Sequence, residues 1–295
     1  MSVVLALLFA AKLTYSPGKK FPTMRFQEKL AAIQQQKNSV LCVGLDPDPA
    51  RIPASLLPDQ PLPARVLAFN RAIIATTAPY ASAFKINFAF YEAMGSAGWS
   101  VLEETASLLP DDVVSIADAK RGDIGNSTRF YARSVYETLG FDSCTVAPYM
   151  GQDSYVPFLE YGDKMTFILA RTSNPGAADL QERDVDGAPL YHLLTNQIAA
   201  LPAELKQAAG LVVGATSPTA LASIRAIVPG MPFLIPGVGA QGGDAQAVMQ
   251  AAYDAPGAVL INSSRGIIYA STDETFAEAA ATAAKRLQTT LASFM

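Results

Sequence analysis

One histidine and two cysteines are all that 295 residues contain of those types, and that scarcity excludes a good deal of chemistry. Ser-His-Asp hydrolysis and histidine-rich zinc sites have almost no material to work with. His192 follows Tyr191 in a helical-looking stretch, lacks the partners a motif needs, and reads as a structural residue. Cys42 and Cys144 cannot build a disulfide framework. Both lie in apolar, β-like runs, where cysteine acts as a small buried hydrophobe, so a reducing cytoplasm is the expected compartment. Catalysis must then run on lysine and carboxylates.

Charge is also sparse. Charged residues make up 16% of the chain and hydrophobic ones 50%, against an average nearer ~25% charged, which argues against disorder and against a coiled coil. The net charge of −4 comes with no long basic run, so neither nucleic acid nor an anionic membrane is an expected partner. A small molecule is. The apolar run Val3 to Ala11 is too short to span a bilayer. No basic residue precedes it, Lys12 interrupts it, and no small-residue cleavage site follows. Residues 1–23 are therefore expected to be an extension outside the fold, with a secretory signal as the alternative, and residues 24–295 to form one domain.

From Gln27 onward, short β-branched apolar runs alternate with longer amphipathic or alanine-rich segments, the pattern of βαβ units around a parallel sheet. The strands are expected at Val40–Leu45, Ala83–Asn87, Val113–Ala117, Cys144–Ala147, Thr166–Arg171, Leu211–Ala215, Phe233–Pro236 and Val259–Asn262. Short apolar runs do not separate strand from helix, and the run at Cys144 is the weakest strand candidate. Helices are expected at Arg25–Gln35, Ala64–Thr77, Glu92–Leu109, Ser127–Leu139, Leu190–Ala200, Pro218–Ile227, Asp244–Tyr253 and Thr275–Leu291. Eight such units in ~270 residues fit a closed (β/α)8 barrel, a TIM barrel, better than an open doubly wound sheet.

Active sites of such barrels are built at the C-terminal ends of the strands. Polar residues gather there. Asp46 follows the first strand, Lys85 and Asn87 end the second, and the third runs into Asp118, Lys120 and Asp123. Alternation along a strand puts Lys85 with Asn87, and Asp118 with Lys120, on one face. Burying such charges is costly unless each is paired, so this cluster reads as chemistry rather than as surface polarity. After the seventh strand comes Pro236-Gly237-Val238-Gly239-Ala240-Gln241-Gly242-Gly243, and after the eighth Asn262-Ser263-Ser264-Arg265-Gly266. Glycine-rich loops at those two positions cradle phosphate in many barrels, with Arg265 as a planar donor.

The stretch Asp118-Ala-Lys120-Arg-Gly-Asp123-Ile124-Gly, with Phe84-Lys85-Ile-Asn87-Phe before it and Thr172-Ser173-Asn174-Pro-Gly after it, resembles the orotidine 5′-phosphate decarboxylases, specifically their longer bacterial subgroup (type 2). The likeness runs over about residues 25–290. It implies decarboxylation of orotidine 5′-phosphate to uridine 5′-phosphate and CO2, the last step of pyrimidine nucleotide synthesis, with neither cofactor nor metal. It implies a catalytic array of Lys85, Asp118, Lys120 and Asp123, with Lys120 donating the proton to C6. In a homodimer with shared sites, Asp123, Ile124 and Ser127 would reach across to the partner. Asp46 and Asn87 match ribose contacts, Ser173 a reader of the pyrimidine edge, and Gln241 and Arg265 the phosphate ligands; Pro236 and Gly242 are further expected substrate contacts. Serine at position 127, where threonine is frequent, keeps the hydroxyl. Two other readings stay open from the residues alone: a Mg2+-dependent sugar-phosphate enzyme on the same scaffold, in which Asp118 would hold the metal, and a catalytically silent binder of phosphate ligands.

Overall fold

The computed structural model describes residues 24–238 and 243–295; the segment 1–23, with its apolar run, lies outside them, and so do Gln241 and Gly242. Among the described residues, parallel strands β1 (Leu41–Leu45), β2 (Ala83–Asn87), β3 (Val114–Arg121), β4 (Ser143–Val146) and β5 (Met165–Arg171) are followed by a two-stranded hairpin, β6 (Asp184–Val185) and β7 (Ala188–Pro189), and then by β8 (Ala209–Val213), β9 (Phe233–Pro236) and β10 (Val259–Ser263). The strands other than the hairpin close into one eight-stranded barrel, β10 returning to β1. Near-continuous apolar runs such as Leu-Cys-Val-Gly-Leu in β1 suit strands covered on both faces.

Helices pack around the barrel, and two of them start at a residue whose side chain caps them. Ser217 accepts the Ala220 N–H at 3.3 Å ahead of the helix Pro218–Ile227, and Asp244 accepts those of Gln246 and Ala247 ahead of Ala245–Ala252. Both are side-chain caps, worth about 1 kcal/mol each. Among the described residues, no helix is long and apolar enough to cross a membrane.

Two apolar layers result. The larger lies between strands and helices. The smaller lies inside the barrel, where Phe26, Leu30 and Ile33 of the helix Phe26–Lys37 close the bottom against Phe167, Val212, Leu234 and Leu260, with the Phe26 ring edge-on to Phe167. Buried Gln34 seals that end by bonding the Val259 carbonyl and the Gly257 N–H at 2.7 and 2.8 Å. This inner layer fixes where chemistry can occur. Ala83, Ile116, Phe167 and Leu260 belong to it, and two positions further along the same strands come Lys85, Asp118, Leu169 and Asn262, which line a cavity at the barrel mouth.

The weakest strand candidate, the run at Cys144, is a true barrel strand, β4. The third strand, expected to stop at Ala117, continues to Arg121, so Asp118 and Lys120 belong to the strand itself. The segment expected as one helix over Glu92–Leu109 is two, Phe88–Glu92 and Ser96–Ser107, broken at Gly95 with φ +67°. The hairpin β6–β7, absent from the expected pattern, fills the excursion after β5.

Candidate active site

Asp118 is the centre of the mouth. Lys85 Nζ lies 2.7 Å from its Oδ2 and Lys120 Nζ 2.5 Å from its Oδ1. Lys85 also faces Asp46 Oδ1 at 3.7 Å. Thr145 of β4 donates to Asp118 Oδ1 at 3.0 Å. Lys85 and Asp118 are buried, whereas the Lys120 side chain is half exposed at 49%. Burial pushes the Lys85 ammonium down, but the Asp118 and Asp46 carboxylates more than offset this and hold it above the usual lysine range. Burial likewise pushes Asp118 up, and the two ammoniums more than reverse it, keeping the carboxyl well below the usual range. A fixed carboxylate between two cations results.

The backbone arrangement that permits this is unusual. Lys120 has φ +47°, a conformation costing roughly 1–2 kcal/mol for a residue with a Cβ. Plain strand alternation is thus not what brings Lys120 to Asp118; a local irregularity of β3 does. Asp46 is held from the neighbouring strand's side: the Tyr269 hydroxyl, after β10, donates to the Asp46 carbonyl at 2.9 Å and accepts the Asp48 N–H at 2.5 Å. Asp46 Oδ1 is itself buried without a hydrogen-bond partner among the described residues, a polar atom left for a ligand.

The cavity above the array has a volume of about 290 Å³, near the lower end of small-molecule sites at ~300–1,000 Å³. Leu169, Val212 and Leu234 give it an apolar wall beside the charges. Ser173 forms another side, backed by Gly214, where a Cβ would come within 2.6 Å of the Ser173 nitrogen. Gln181 fixes the neighbouring residue, its Oε1 accepting the Thr172 N–H at 2.7 Å. Pro236, Gly237 and Val238 line the far side with Arg265, which opens the short helix Arg265–Ile268. Gly237 takes φ +103°, which only glycine adopts freely.

Of the residues expected from sequence, Asp46, Lys85, Asp118, Lys120, Ser173, Pro236 and Arg265 therefore meet around one cavity. Gln241 and Gly242 lie outside the described residues. Four others stand elsewhere. Asn87 accepts the Ala89 N–H at 3.2 Å and caps the helix Phe88–Glu92. Asp123, whose Oδ1 accepts the Ile124 N–H at 2.7 Å, lines a second, shallower depression with Ser127, Phe130 and Tyr131, and Ile124 is exposed beside it. The expectation that five charges converge thus holds within one chain for four of them. His192 is structural, its Nε2 lying 2.9 Å from Ser223 Oγ between two helices. Both cysteines are fully buried, and burial pushes their thiols well up. Sequence reading missed Thr145, Tyr269 and Gln181. Thr145 sat in an expected strand beside the Asp-Ala-Lys stretch and could have been found by pairing the two; Tyr269 and Gln181 carry no motif.

A family model for the orotidine 5′-phosphate decarboxylase / HUMPS family matches residues 39–280, a range that holds the whole array and Arg265. The chain belongs to this family. A curated orotidine 5′-phosphate decarboxylase from Dehalococcoides mccartyi is 48% identical over 268 residues, covering 90% of this chain and 96% of that protein. One from Ralstonia pickettii is 46% identical over 261 residues, covering 87% and 94%. Among solved structures, the orotidine monophosphate decarboxylase of Leishmania donovani superposes with a TM-score of 0.76 at 36% identity, over 90% of this chain and all of that one. Such likeness over nearly the full length joins this member of the decarboxylase family to relatives of the same barrel.

Proposed function

We propose that this chain decarboxylates orotidine 5′-phosphate to uridine 5′-phosphate and CO2, the last step of pyrimidine nucleotide synthesis, without a cofactor or metal. The observation that carries the reading is the Lys85–Asp118–Lys120 array at the floor of the cavity, in a chain of this family. Loss of CO2 from C6 leaves an electron pair on a vinylic carbon that has no adjacent sink, so the protein must supply the stabilising charge. Lys120, the more exposed lysine, offsets the developing carbanion and then transfers a proton to C6, recovering one from solvent afterwards. Asp118 lies near the substrate carboxylate, a like-charge contact relieved as neutral CO2 departs. Lys85 holds Asp118 in place, and Asp46, whose buried Oδ1 accepts no hydrogen bond among the described residues, receives a ribose hydroxyl. Ser173 meets the pyrimidine edge. Arg265, with the loop that includes Gln241, binds the phosphate, and that remote binding energy is realised at the reacting carbon.

A homodimer with shared sites fits this reading. Asp123, Ile124 and Ser127 are outside their own chain's cavity, and Ile124, Phe130, Tyr149 and Met150 expose apolar surface on the adjoining loops and helix, the kind of patch that marks a protein interface. The buried, unpaired cysteines fit a reducing cytoplasm. Ultraviolet detection of orotidine 5′-phosphate loss in EDTA tests the activity. Turnover that survives the chelator supports it; a strict Mg2+ requirement would point to a metal-dependent reaction, and tight uridine 5′-phosphate binding without turnover to a silent binder.

A further inference from the structure

Beside the array, β3 and β4 fall out of step. Ala117 pairs with Cys144 and Arg121 with Val146, so Asp118, Ala119 and Lys120 face a single residue, Thr145. Such a bulge releases backbone groups from the ladder and re-aims side chains. One released group is the Lys120 N–H, and it is taken by Thr145 Oγ1 at 3.0 Å. An amide can only donate, so the hydroxyl oxygen accepts and its own proton must go elsewhere. It goes to Asp118 Oδ1, also at 3.0 Å. Thr145 is 1% exposed, and its single hydroxyl proton is committed to the carboxylate. The same carboxylate oxygen receives Lys120 Nζ, so one buried hydroxyl ties the left-handed Lys120 backbone to the atom that its ammonium meets.

We propose that Thr145 is a positioning residue for the decarboxylation: by bridging the Lys120 amide and the Asp118 carboxylate, it holds the Lys120 ammonium where C6 will lie. This rests on the functional reading above. Valine has threonine's shape but neither donor nor acceptor, so Thr145→Val isolates the bridge, while Thr145→Ser restores it. In steady-state decarboxylation, Thr145→Val should lower kcat by about 10- to 100-fold, the scale of losing a hydrogen bond to a charged group, with KM changed less than about threefold. Thr145→Ser should stay near the parent in both. An unchanged kcat in Thr145→Val, or equal impairment of the two variants, would overturn the proposal, as would a defect confined to KM. A crystal structure of Thr145→Val, or of Thr145→Ala should valine not fold, gives a readout independent of turnover: Lys120 should leave its left-handed conformation or its Nζ should leave Asp118, and an unmoved Lys120 would refute the bridge. Absence of turnover in the unsubstituted chain would instead refute the functional reading, leaving the crystallographic comparison to decide on Thr145.

Discussion

Lys85 Nζ stands 2.7 Å from Asp118 Oδ2, with both side chains more than nine-tenths buried. A buried ion pair adds little net stability, but removing one partner leaves an uncompensated charge and costs about 3–5 kcal/mol. Lys85→Met should therefore lower the unfolding free energy by up to about that amount and abolish turnover, because Asp46 would lose its counter-charge and Asp118 the buried one of its two, keeping only the half-exposed Lys120. Urea denaturation checks it. An unchanged midpoint would show that the pair is not buried as described.

The same pair sets the pH range of stability. The Asp118 carboxyl is held below the ordinary value near 4, so between that value and its own lower one the unfolded chain binds more protons than the folded chain. Stability is then fully present above about pH 5 and falls as pH drops through the acid range. Lys85 is held above its ordinary value, so its contribution is fully present below about pH 10 and is lost only as pH rises beyond that. Thermal melts across pH should show a plateau between these limits. Asp118→Asn, which cannot ionise, should have a shallower acid limb than the parent; parallel limbs would assign the acid dependence to other groups.

Arg265 lines the same cavity as the Lys–Asp array, at the start of its short helix after β10. If its proposed role is capture of the phosphate, Arg265→Ala should raise KM for the phosphorylated substrate by about 10- to 100-fold, as when a charge-assisted contact is lost. Affinity for the unphosphorylated nucleoside should be unaffected. Titration with uridine 5′-phosphate and uridine separates the two, and equal weakening of both would place Arg265 away from the phosphate.

Much of this was legible in the sequence because barrel strands report their own positions. Lys85 and Asp118 each sit two residues beyond a buried apolar residue of the inner layer, Ala83 and Ile116, so the strand period alone carries them to the mouth. Lys120 was found for a reason that is only half right, since its place depends on the bulge opposite Thr145, and a register shift between strands leaves no local mark in either one. Tyr269 was invisible for a related reason. Its hydroxyl serves Asp46 and Asp48 from more than 200 positions along the chain, and only closure of β10 onto β1 brings them together. Asn87 shows the reverse case: a polar residue at a strand end that the following helix uses as its cap.

Asp123 offers the sharpest test of a shared site. Its side chain lines the depression beside Ser127 and Phe130, not the cavity that holds Lys120, so in the proposed homodimer a second copy would bring it into use. On the proposed reading, Lys120→Ala removes the proton donor and Asp123→Ala the group lent to the neighbour; each alone should abolish turnover. Lys120→Ala should leave uridine 5′-phosphate affinity largely intact, because the lysine meets charge that appears during reaction. In a mixed dimer, one site would combine Lys120 from one chain with Asp123 from the other, while its twin would lack both. Random exchange of equal amounts makes half the dimers mixed with one good site in each, so about a quarter of the parent activity should return. Activity is measured after subunit exchange, followed by mass spectrometry of differently tagged chains. Full exchange with no recovery would mean that Asp123 acts within its own chain, and turnover by Asp123→Ala alone that it does not act at all.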